Sequence, residues 1–136
     1  LFRGKNSVKI DSAFPAFGFR HSESNFMTAV LPSPAQASPE EIERFARLAS
    51  EWKRLSRFMS NPAQMAMLSP YQRIIGMGMP ATSLILNELR RESDHWFWAL
   101  EAITDEDPVS PECRGNIKAM RQAWLDWGLR NGFLQP

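Results

Sequence analysis

The chain has 136 residues, with 16 Lys and Arg against 15 Asp and Glu and a net charge of +1. That is the material of one domain plus an appendage, with no global field to draw it onto nucleic acid or an anionic membrane. A single Cys and two His exclude a disulfide framework and a Cys-rich zinc site, and they fit a reducing, cytoplasmic setting.

No stretch approaches the roughly 18 uninterrupted apolar residues of a membrane span, and Leu1-Phe2-Arg3-Gly4-Lys5 has no apolar signal-peptide core. The chain is therefore expected to be soluble and unexported, with no membrane partner. Residues 1–37 are rich in Phe, Pro and Ser, with short extended-looking pieces at 7–10 and 25–31 but no helical period. They are expected to form an extended arm or small β-hairpin. Pro32-Ser33-Pro34-Ala35-Gln36-Ala37 closes the arm as a linker, because fixed φ angles and missing donors oppose both helix and central strand. The boundary falls there, leaving 38–136 as a helical domain.

Ser38-Pro39-Glu40-Glu41 carries a capping-box pattern, in which a Ser hydroxyl and a Glu three positions on satisfy each other's free amides. It predicts a first helix from Pro39 to about Met59. Ile42, Phe45, Ala49, Trp52, Leu55 and Met59 advance by three or four and should form its buried stripe. Ser69-Pro70 opens a short second helix through Tyr71, Ile74 and Ile75, closed by Gly76-Met77-Gly78. Pro80 starts a third, whose buried face is Ala81, Leu84, Ile85 and Leu89 and which ends in Arg90-Arg91-Glu92. Ser93-Asp94 is expected to cap a fourth, apolar almost all round from Trp96 to Ile103 and hence central in the packing. It gives way to the turn Asp105-Glu106-Asp107-Pro108. Ile117, Met120, Trp124 and Trp127 mark a fifth helix that stops at Asn131-Gly132. The expected fold is all-α: a small bundle of about five helices behind an extended N-terminal arm.

Tyr71 to Thr104, with the Gly turn Ile75-Gly76-Met77-Gly78, the helix Pro80 to Leu89 and the helix from Trp96 to Ile103, resembles one and a half units of a HEAT-like helical repeat. The resemblance covers about a quarter of the chain and is one of packing. It implies a scaffold that presents a helical surface to a partner, and it brings no catalytic residue with it. No second copy follows at a period of about 40 residues, and bulky aromatics at 96, 97 and 98 replace small ones. Since one hairpin cannot bury its own face, the first and fifth helices should close the core.

The most unusual segment is Asp94-His95-Trp96-Phe97-Trp98. A carboxylate-oriented His95 facing Trp rings would suit proton transfer, while a first-turn acid followed by core aromatics is the plainer reading. No hydroxyl or thiol stands at motif spacing to act as a nucleophile. Asp105-Glu106-Asp107 with Glu112 lacks the Gly and the ligand alternation of a calcium loop, and Cys113 has too few His or Cys companions for a transition metal. No metal site and no cofactor are expected.

The basic groups Arg44, Arg47, Arg54, Lys53 and Arg57 on the first helix, with Arg90 and Arg91 on the third, are interleaved with Glu40, Glu43 and Glu51. Intrahelical pairs on a wet face account for that pattern.

The leading expectation is a non-enzymatic protein-interaction module. It would dock a partner chain or a second copy through Phe14, Phe17, Phe19 and Phe26 of the arm and Arg47, Arg54 and Arg57 of the first helix, with no small-molecule substrate. A different class also fits the charges: a small nucleic-acid-binding regulator, antitoxin-like or phage-encoded, using Arg47, Arg54, Arg57, Arg90 and Arg91. A hydrolase or transferase centred on His95 would need a pocket and an acid from outside its own segment.

Overall fold

A computed structural model describes residues 36–136, which contain helices and no strand. The arm phenylalanines Phe14, Phe17, Phe19 and Phe26 lie outside the described residues. Helix α1 (Pro39–Ser56) starts as its sequence dictates: the Ser38 hydroxyl accepts from the Glu41 amide at 3.2 Å, and the Glu41 carboxylate accepts from the Ser38 amide at 2.8 Å. A five-residue helix α2 (Pro62–Ala66) follows, capped by the Asn61 side chain, which accepts from the Ala63 and Gln64 amides. Helix α3 (Ser69–Met77) ends at Gly78, whose φ of +77° is the conformation a Cβ disfavours. Helices α4 (Pro80–Arg91), α5 (Phe97–Thr104) and α6 (Ile117–Arg130) complete the set, with a 3₁₀ turn at Pro111–Cys113 between the last two. The bundle is all-α, with six helices among the described residues.

The core is aromatic at its centre. Trp52 of α1, Tyr71 of α3 and Trp96, in the turn before α5, are fully buried. The Trp52 and Trp96 rings stand 4.4 Å apart, and Tyr71 stacks on Trp96 at 5.6 Å with planes only 7° from parallel. Such pairs add about 0.5–1.5 kcal/mol each beyond the area they bury. A second aromatic group lies in the C-terminal part, where Trp124 meets Trp127 and Trp127 stacks on Phe133. Ile85, Leu86 and Leu89 of α4, all fully buried, supply the aliphatic part of the core. Four of the five tryptophans, Trp52, Trp96, Trp124 and Trp127, are therefore packing residues, and only Trp98 is half exposed.

Several helix ends are closed by side chains from other helices. The Trp52 indole N–H donates to the Met65 carbonyl at the end of α2, at 2.9 Å. Arg121 of α6 donates from Nε to the Leu89 carbonyl at 2.6 Å and from a terminal nitrogen to the Arg90 carbonyl at 2.5 Å. A guanidinium thus covers the carbonyl end of α4, where both the lone pairs and the helix dipole favour a cation.

Three expectations are corrected. The start of α5 is not capped by Ser93-Asp94: Trp96 occupies the cap position without a side-chain bond, and the Tyr71 hydroxyl accepts from the Ala99 amide at 3.0 Å instead. The first helix ends at Ser56, not near Met59, and its stripe is shifted, with Leu48 and Ser56 buried while Ile42 and Leu55 are exposed. The reason is geometric, because at 100° per residue Ile42 and Leu55 flank the sector centred on Phe45, Leu48, Ala49 and Trp52. The fourth helix is not apolar to the core all round either, since Trp98 points outward.

Candidate functional site

The basic residues differ in what engages them. Arg47 and Arg54 are exposed on the side of α1 opposite its buried stripe, in the company of Glu40, Glu43 and Glu51, but the intrahelical pairs expected there are not formed among the described residues, the long side chains staying in solvent. Arg57 lies over the ring of Phe58, 5.4 Å from its centroid, at the exposed end of α1. Arg90 instead donates to the Gln135 carbonyl at 2.8 Å, and Arg91 pairs with Glu88 at 2.6 Å, so both are engaged inside the domain. Lys53 of α1 reaches the same Glu88 at 2.9 Å and Glu92 at 3.4 Å. These ion pairs line a groove of about 490 Å³ between α1 and α4, floored by Phe45, Ala49 and Leu84.

The more open chemistry lies at the other end of the aromatic segment. A cleft of about 570 Å³ is formed by His95, Phe97, Trp98 and Glu101 on one side, Gly115, Ile117 and Met120 on another, and Pro62 at the start of α2. Helical spacing explains the first wall: Phe97, Trp98 and Glu101 lie at i, i+1 and i+4 on one side of α5, while Ala99 and Leu100 turn into the core. Ile117 and Met120 are one turn apart at the start of α6, which the Asn116 side chain caps by accepting from the Ala119 amide at 3.1 Å. The turn that carries His95 is held from the core, since the Tyr71 hydroxyl donates to the His95 carbonyl at 2.9 Å. Desolvation pushes the Tyr71 phenol well above its usual range, so the hydroxyl keeps its proton and its donor role.

The electrostatics of the cleft centre on Glu101. Burial, followed by the nearby negative Asp107, raises its carboxyl above the ordinary value, and Arg114 opposes that shift. Arg114 is itself committed to Asp107 in an ion pair that holds the Asp107 carboxyl below the usual range. Glu101 forms no ion pair among the described residues.

The sequence segment 94–98 is thereby divided. Asp94 serves the backbone, its carboxylate accepting from the His95 amide at 2.8 Å, and it makes no bond to the His95 imidazole among the described residues. Trp96 and Phe97 are core, and Trp98 is surface. The pocket that a His95-centred chemistry would require is present, and Glu101 is an acid from outside the segment, but no hydroxyl or thiol lines the cleft to serve as nucleophile among the described residues. No group of three His, Cys, Asp or Glu side chains among the described residues is placed to hold a metal ion. No described helix is long and apolar enough to cross a membrane.

Sequence reasoning missed Glu101, Ile117 and Met120 as site residues. The i, i+3 pairing of Trp98 with Glu101 was visible on a helical wheel, whereas the apposition of α6 was not. In comparisons with family models, curated proteins and solved structures, nothing matches this chain.

Proposed function

We propose that this chain is a non-enzymatic helical interaction module, and that the cleft around Trp98 is where a partner polypeptide docks on the helical domain. The observation that carries the reading is the use of tryptophan. The domain buries four indoles in its packing and leaves Trp98 half exposed on a cleft walled by Phe97, Ile117 and Met120. An exposed Trp in an apolar recess is the residue type and setting that dominates binding energy at protein interfaces. The resemblance of residues 71–104 to HEAT-like hairpins supports the same class of function. Phe14, Phe17, Phe19 and Phe26 of the arm and Arg47, Arg54 and Arg57 of α1 remain further candidates for contact.

The test is site-specific photo-crosslinking in the native host, with a benzophenone amino acid at position 98 or, as the control, at position 47. A discrete crosslinked polypeptide from position 98 is expected. Crosslinking from position 47 alone, or equal crosslinking from both, would move the interface off the cleft. Of Arg47, Arg54, Arg57, Arg90 and Arg91, on which the nucleic-acid reading rests, the exposed Arg47 and Arg54 support it best, since they make no ion pair among the described residues. Oligonucleotide binding that falls steeply with salt and is lost in R47S/R54S would favour it.

A further inference from the structure

The two grooves of the domain differ in how their charges are matched. Between α1 and α4 every ionic side chain has a partner: Lys53 bonds to Glu88 and Glu92, and Arg91 bonds to Glu88. That groove presents no charge for a ligand to satisfy. In the Trp98 cleft the carboxylate of Glu101 lines a recess that is apolar apart from His95, and Arg114, the cation that acts on it, is already taken by Asp107.

A carboxylate in that position selects its ligand. Any polypeptide that covers the cleft desolvates Glu101 further, and a neutral apolar group placed there leaves a charge without a partner, which is unfavourable. A cation removes that penalty. The surrounding surface suits one kind of cation better than others, since the Trp98 ring, one helical turn from Glu101 on α5, lines the same cleft and offers a face for cation–π stacking. The guanidinium is planar, stacks on indole and bonds a carboxylate through two parallel N–H donors, whereas an ammonium is a strongly hydrated point charge. The apolar wall of Ile117, Met120 and Pro62 matches the methylene stem that precedes such a head group.

We infer that the cleft receives an arginine side chain of the partner polypeptide, with its stem on the Trp98 and Met120 wall and its guanidinium at Glu101. This rests on the reading of the cleft as a docking site and names the chemistry that occupies it.

The experiment uses the full chain and three capped probes, acetyl-Gly-Arg-Gly-amide and its citrulline and norleucine counterparts, titrated while the Trp98 indole N–H signal and, in W98A, the methyl signal of the cleft residue Met120 are followed by NMR. The arginine peptide is expected to bind about tenfold more tightly than the citrulline peptide, which has nearly the same shape without the charge. E101Q should abolish that preference, and W98A should weaken the arginine peptide by a similar factor, with far-UV circular dichroism unchanged in both variants. Equal affinity for arginine and citrulline, or an arginine preference that survives E101Q, overturns the inference. If the norleucine peptide binds as well as arginine and W98A weakens both, the cation is refuted while the docking cleft stands. If no probe moves the Trp98 signal, the arginine assignment fails, and crosslinking from position 98 then decides separately whether the cleft is an interface.

Discussion

Replacing Tyr71 by Phe removes one oxygen and tests how the cleft is held. In the native protein that oxygen makes two bonds, donating to the His95 carbonyl at 2.9 Å and accepting from the Ala99 amide at 3.0 Å. Tyr71 is fully buried, so solvent does not take over both roles, and Phe fills nearly the same volume, so lost packing contributes little. The Ala99 amide, at the third position of α5, loses its cap outright, and the His95 carbonyl keeps partial access to water. At about 1–3 kcal/mol for a buried group left unpaired, with the carbonyl at the low end, the expected loss is about 2–3 kcal/mol. For a domain of this size that corresponds to a fall in Tm of roughly 10–15 °C. Urea unfolding followed by far-UV circular dichroism should show a lower midpoint with an unchanged slope, and amide exchange at Ala99 should quicken. A loss below about 0.5 kcal/mol with Ala99 still protected would refute the idea that a phenol from α3 sets the first turn of α5.

Gly128→Ala sets two effects against each other: about 1 kcal/mol gained in helix propensity, and a Cβ only 2.7 Å from Cδ1 of the fully buried Leu86, where overpacking costs about 1–3 kcal/mol. A net loss of about 1 kcal/mol is expected in chemical denaturation, and a gain would mean that Leu86 has room to swing aside. Arg121→Met keeps the apolar stem but uncovers the Leu89 and Arg90 carbonyls, so about 1–2 kcal/mol should be lost, and an unchanged urea midpoint would show that solvent caps α4 equally well. Arg114→Gln should let the Asp107 carboxyl rise toward its ordinary value and push Glu101 higher still, as read from carboxyl carbon shifts during a pH titration. The two acids have opposite linkage. The stabilisation from Asp107 is present above its unfolded pKa and fades as pH falls through its depressed folded value, whereas Glu101 disfavours the fold once pH rises from its unfolded value through its raised one.

What could be read from the chain was local. Ser38 and Glu41, three residues apart, specify the start of α1 by themselves, and Pro80 and Gly78 mark helix boundaries by conformational restriction or freedom that needs no tertiary context. Helix α2 was legible in principle, since Asn61-Pro62 is a cap followed by a first-turn Pro, but five residues give no period to detect. The cap of α5 was not legible, because the hydroxyl that provides it comes from 28 residues earlier in the chain than Ala99. The cleft was half legible. Trp98 and Glu101 share a side of α5 by spacing alone, yet whether that side faces the core depends on where Tyr71, Trp52 and α6 pack, and run-on aromatic sequence from 96 to 98 disguised the one ring that turns outward.

Four of the five indoles are packed in the core, and Trp98, half exposed, is the one proposed for recognition. The most direct test is the relaxation enhancement that a soluble, inert gadolinium chelate produces at each indole N–H signal of the full chain. Trp98 should be broadened strongly while Trp52, Trp96 and Trp124 remain sharp, as their complete burial requires. Comparable broadening at Trp98 and at any of those three, or a Trp98 signal as well protected as theirs, would contradict the account.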